Sequence, residues 1–116
     1  MLFMIIVKAS ENSELGKLPS PELREAMSRY NDELERAGVR VMAKGLHPSS
    51  NSIRISYPEA NGEPLVSQGP FEKASDLVAG FIILDVDSKA EAIEWAKKMP
   101  DPQGFGEGQI ELRQIF

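Results

Sequence analysis

The sequence has one imidazole, His47, in Gly45-Leu46-His47-Pro48-Ser49-Ser50, just past a segment that reads as a strand. Imidazole titrates near neutral pH, so His47 is the candidate for general acid/base work or for orienting a ligand. The plainer reading is a loop histidine that hydrogen-bonds local backbone. Cysteine is absent, which with a single histidine removes disulfides, thiol nucleophiles, Cys-based zinc sites and multi-histidine metal sites. No metal and no cofactor is therefore expected. Carboxylates are available at Glu72, Asp76, Asp85, Asp87, Glu107 and Glu111. Two carboxyls, or a carboxyl and an imidazole, do acid/base chemistry when their surroundings separate their pKa values. Asp76 and Glu107 are the acids taken as candidates to orient His47. Gln68-Gly69-Pro70-Phe71 reads as a turn with an aromatic anchor, either shaping a pocket mouth or plugging the core. Gln103-Gly104-Phe105-Gly106-Glu107-Gly108 is glycine-rich, but a phosphate loop runs from strand to helix, and this one runs from helix to strand.

These residues sit in one domain's worth of chain: 116 residues, spanning 1–116, with 41% hydrophobic and 27% charged residues. Lys and Arg number 13 against 18 Asp and Glu, a net charge of −5. An acidic chain without a basic block is a poor nucleic-acid binder, because phosphate neutralisation dominates that affinity. It also lacks the Lys/Arg-rich face that holds a helix on an anionic membrane. The apolar opening Leu2 to Val7 is too short for a signal-peptide core or a membrane span, so a soluble, cytoplasmic protein is expected.

Periodicity supplies the elements. Leu2 to Val7 reads as a central strand buried on both faces. Ser10 to Leu18 reads as a polar loop. Ser20-Pro21-Glu22 starts a helix, with Leu23, Ala26, Met27, Tyr30, Leu34 and Ala37 forming one apolar stripe up to Gly38. Val39 to Lys44 and Ser52 to Tyr57 alternate as strands with one wet face. Asn61-Gly62 signals a hairpin turn, with Pro64 to Ser67 returning. Gly80 to Val86 is a further apolar strand. Ser88-Lys89-Ala90-Glu91 is a capping box opening a helix over 89–99, and Gln109 to Phe116 is a closing strand. Strand–helix–strand, a hairpin, then strand–helix–strand is the ferredoxin-like α+β plan: a four-stranded antiparallel sheet with both helices on one face. Its other face would be apolar and bare in a monomer, which predicts a two-fold homodimer.

Several segments together resemble the YCII-related family in its DGPF-domain branch. They are the opening strand, Pro19-Ser20-Pro21-Glu22-Leu23 with Tyr30-Asn31-Asp32-Glu33-Leu34, Gly45-Leu46-His47-Pro48-Ser49, Gly69-Pro70-Phe71, Ala79-Gly80-Phe81, Glu91-Ala92-Ile93-Glu94-Trp95-Ala96 and Ile110-Glu111-Leu112-Arg113-Gln114-Ile115-Phe116. The likeness covers nearly the whole chain and rests on the order and spacing of these pieces. It implies a dimeric α+β barrel, whose relatives include small enzymes acting without a metal on aromatic or lactone substrates. It also implies an acid/base pair of a histidine and the aspartate of the DGPF motif. His47 matches the histidine; the aspartate position carries Gln68, which cannot ionise.

The first expectation is accordingly a small-molecule-binding or accessory dimer, with His47, Ser49, Gln68 and Phe71 at the ligand. The second is a cofactor-independent enzyme with His47 as acid/base and Asp76 or Glu107 beside it. The third is a structural or partner-binding dimer.

Overall fold

In the computed structural model, which describes residues 1–116, the continuous apolar run at the N-terminus is strand β1 (Leu2–Lys8). It is central: β5 (Val78–Asp85) pairs with it on one side and β6 (Ile110–Gln114) on the other, both antiparallel. With β2 (Arg40–Gly45) beside β5, the strand order is β2-β5-β1-β6. Helix α2 (Pro21–Arg36) connects β1 to β2, and α3 (Lys89–Lys97) connects β5 to β6. This is the doubled β-α-β arrangement that the element order predicts.

Side chains alternate across a strand, so registered pairs share a face. Phe3 opposite Leu84 and Ile5 opposite Ile82 form the floor of the core. Tyr30 and Leu34 from α2 and Ala92 from α3 close over it, with Val39 and Val86 at its edge. The other face presents Met4, Ile6, Phe81 and Ile83, none of them fully buried. The expectation that β1 is buried on both faces holds for one face only, because the helices cover just that one.

Local signals account for the helix ends. The Ser20 hydroxyl accepts from the Leu23 N–H at 3.2 Å, Pro21 occupies the first turn, and Gly38 takes φ +72° beyond the C-cap Ala37. The Ser88 hydroxyl caps Glu91 N–H at 3.1 Å, but the Glu91 carboxylate accepts from Asp87 N–H, one residue before the cap, at 3.0 Å.

Three segments depart from the periodicity. Within 10–18 lies a helical turn, α1 (Glu11–Glu14), closed by a reciprocal Ser10/Ser13 capping box. The register of β2 shifts between Arg40 and Met42, so Val41 is turned out at 57% exposure, although Val39 and Ala43 on its expected face pack against the core. The hairpin consists of β3 (Ile53–Ser56) and β4 (Leu65–Gln68), paired from Ile53–Gln68 to Ser56–Leu65. Its connection is the whole loop 57–64 rather than a two-residue turn at Asn61-Gly62. Pro58 and Pro64 flank that loop without N–H donors, and the ladder stops short of both. No helix is long and apolar enough to cross a membrane.

Candidate functional site

Strand β2 ends at Gly45, and the Leu46 N–H then donates to the Ala79 carbonyl at 2.8 Å, keeping the chain beside β5. Pro48 leads into a single 3-10 turn, Ser49–Asn51. His47 is held between these two anchors. It is exposed, no carboxylate lies within ion-pairing distance of it, and it lines a cavity of about 590 Å³.

Buried beside it, Ser49 organises the wall. Its N–H donates to a Glu14 carboxylate oxygen at 2.9 Å, and its hydroxyl donates to the other oxygen of the same carboxylate. The Ser49 hydroxyl also accepts from the Phe71 N–H at 2.9 Å. One side chain therefore joins α1, the His47 loop and the segment that follows the hairpin. The last segment comes in very close: a Cβ at Gly69 would fall 1.7 Å from the Ser49 carbonyl oxygen, so this position takes no side chain without a shift. The Gly69 N–H donates to the Ser52 carbonyl at 2.9 Å, and the Gly69-Pro70 peptide is cis. Phe71 lies under the Arg54 guanidinium, which is 3.9 Å from the ring centroid.

The cavity brings together His47, Ser49, Arg54 and Phe71 with the apolar side chains of Leu46, Ile53, Ile55, Leu77 and Val78. No carboxylate lines it. Gln68, Asp76 and Glu107 are outside that lining. Gln68 ends β4 and is exposed; Asp76 ends the 3-10 turn Ala74–Asp76 and is exposed; Glu107 accepts from Asn12 Nδ2 at 2.9 Å. Glu14 and Arg54 are the contributors that the sequence reading passed over. The Ser10/Ser13 spacing could have flagged the turn that carries Glu14, whereas nothing in the alternation of 52–57 points Arg54 toward Phe71.

A sequence model of the YCII-related domain matches residues 1–116. The chain belongs to the YCII-related family. No curated protein matches it. Among solved structures, 5-chloro-2-hydroxyhydroquinone dehydrochlorinase from Burkholderia phenoliruptrix AC1100, in complex with 2,5-dihydroxybenzoquinone, is similar with a TM-score of 0.50 and 16% sequence identity. The alignment covers 96% of this chain and 91% of that one, so the two share the fold from end to end. Within this YCII-related fold, the His47 loop lies at the β2 edge of the sheet, where the hairpin leaves the body.

Proposed function

We propose that this protein is a single-domain, cytoplasmic homodimer of the DGPF branch that binds a small, oxygen-bearing organic molecule in the His47 cavity. The observation that carries this reading is the composition of that cavity: an unpaired imidazole, a guanidinium stacked on an aromatic ring, and hydroxyls at Ser49 and Ser52, among apolar walls and without a carboxylate. Apolar walls with a few convergent polar groups are the usual form of a ligand site. A planar ring carrying acidic or ketonic oxygens suits this lining: the ring meets Ile53, Ile55 and Phe71, and the oxygens accept from His47 and Arg54. The quinone bound by the structural neighbour belongs to that chemical class. A pure binding role ranks ahead of catalysis because neither Asp76 nor Glu107 lines the cavity and Gln68 stands where the branch carries its aspartate.

The dimer has its own support. Only 14 of 116 residues are buried, and every residue of β3 and β4 is exposed, including Ile53, Ile55, Leu65 and Val66. A radius of gyration of 16.0 Å exceeds the roughly 13 Å of a compact chain of this length. A second copy covering the bare sheet face and the hairpin resolves both observations.

The test is a thermal-shift screen of hydroxyquinones, phenols and aromatic carboxylates on wild type and His47→Ala. A stabilising compound whose shift is lost in the variant supports the reading. Silence from all three classes, or hits indifferent to His47, defeats it. For the dimer, Ile55→Asp should sediment as a monomer at concentrations where wild type is a dimer; identical sedimentation removes the hairpin from the interface.

A further inference from the structure

We propose a second ligand site on the helix-covered side of the sheet, specific for an amphipathic carboxylate: an aliphatic or aromatic acid in its ionised form. The cavity, about 640 Å³, lies between α2, the segment after α1 and the edge formed by β2 and β5. That volume is within the range of small-molecule sites. Met27 and Ala43 line it and also pack against the core, and Ile82 beneath them is buried. Leu18 lines it too and is 71% exposed, an apolar side chain on the rim that an occupant would cover.

The charge of the lining is the deciding feature. The chain carries 18 acids in 116 residues, so an even spread would put about three among the 20 residues of this cavity. There are none, while Lys17, Arg40 and Lys44 are present. Lys17 has no ion-pair partner within 4.0 Å. Arg40 reaches Asn31 Oδ1 at 3.5 Å and a Glu35 carboxylate oxygen at 3.4 Å, long contacts that leave most of its donors unused. A protein of net charge −5 thus holds a local positive pocket with an apolar floor, and low-polarity walls strengthen the field there. A carboxylate head meets the Lys17 and Arg40 cations, and its hydrocarbon body covers Met27, Ala43 and Leu18.

This site is distinct from the His47 cavity, although the two are back to back. Leu46 lines both, Gly45 and Pro48 face the second site, and His47 and Ser49 face the first. Their ligands are therefore separable by mutation.

Methionine methyl NMR reads the site directly, because Met27 lines it while Met4 and Met42 do not. Octanoate titrated into protein labelled at the methionine methyls should move Met27 with half-saturation below about 1 mM, and octanamide, equal in shape but neutral, should bind at least roughly tenfold more weakly. Lys17→Gln, at an exposed position outside the core, should weaken octanoate about threefold or more, and Lys17→Gln with Arg40→Gln about tenfold or more. His47→Ala should leave the Met27 response within about twofold of wild type. The proposal is overturned by a Met27 signal unmoved by octanoate, by equal binding of octanamide, by an unchanged affinity in Lys17→Gln, or by loss of the response in His47→Ala. A screen that ends the His47 reading leaves these outcomes untouched, so the two proposals fail separately.

Discussion

The body of the sheet and the β3–β4 arm are built from similar residues and end in opposite states. Phe3, Ile5, Leu34 and Leu84 are at most 1% exposed, whereas Ile53, Ile55, Leu65 and Val66 are all more than half exposed. Both regions carry branched apolar side chains and both form antiparallel ladders. The difference is the layer above: α2 and α3 cover one face of the main sheet, and nothing in the chain covers the hairpin. A two-stranded ribbon has little stability of its own. This one is held at its base by the Ser49, Gly69 and Phe71 contacts and by Arg54 on the Phe71 ring. A strand pattern therefore reports that a residue is suited to burial, and a covering layer decides whether the burial happens within one chain.

The largest test of this contrast is in the core. Leu34→Ala should cost about 2–5 kcal/mol of unfolding free energy, since it empties a fully buried site under α2. Ile55→Ala should cost well under about 1 kcal/mol in the isolated chain, because Ile55 is 52% exposed there. Urea unfolding measures both, and at dimer-forming concentrations the Ile55 effect should grow while the Leu34 effect should not. Comparable costs in dilute protein would mean that the arm is folded against the body after all.

The next effect belongs to the joint between the two regions. Glu14→Ala removes the acceptor of both the Ser49 N–H and its hydroxyl, and should cost about 1–3 kcal/mol, as for a buried donor left unpaired. Hydrogen exchange should then quicken at residues 46–52 and 69–71 and stay unchanged in β1. Uniform exchange across the chain would show that Glu14 serves the whole fold rather than the joint.

The same contrast separates what was legible in the sequence from what was not. The strand and helix order, both helix caps and the apolar stripe of α2 were legible because each is a short-range pattern: Ser20 with Pro21, Ser88 with Glu91, and Met27, Tyr30 and Leu34 on one side of a helix. The bulge at Val41 was not, because register is fixed by the neighbouring strand and leaves no mark on the alternation itself. The site was legible in part. His47, Ser49 and Phe71 line one cavity, as loop residues singled out for their chemistry, but their partners Glu14 and Arg54 come from segments distant in sequence. Asp76 and Glu107 were candidates for charge alone, and charge does not place a side chain.

The smallest effect probes the well-covered side. The Tyr30 hydroxyl, under α3, donates to the Trp95 carbonyl at 2.8 Å, and burial, with a smaller contribution from the Glu33 carboxylate, pushes its pKa up to about 12 from 10.0. A phenol raised in this way favours the folded state while it stays neutral. Its contribution is complete below the unfolded value near 10 and is lost as pH climbs toward about 12, because the unfolded chain ionises first. Tyr30→Phe should cost about 0.5–1.5 kcal/mol at pH 8, the worth of one hydrogen bond. The Trp95 carbonyl keeps a second donor, the Lys98 N–H at 3.2 Å, which places the loss toward the low end of that range. The gap between wild type and variant should then narrow between pH 10 and pH 12, since the variant has no phenol to ionise. A gap that stays constant across that window would show that the Tyr30 phenol ionises alike in the folded and unfolded chains, and so that α3 shields this side of the core less than the geometry requires.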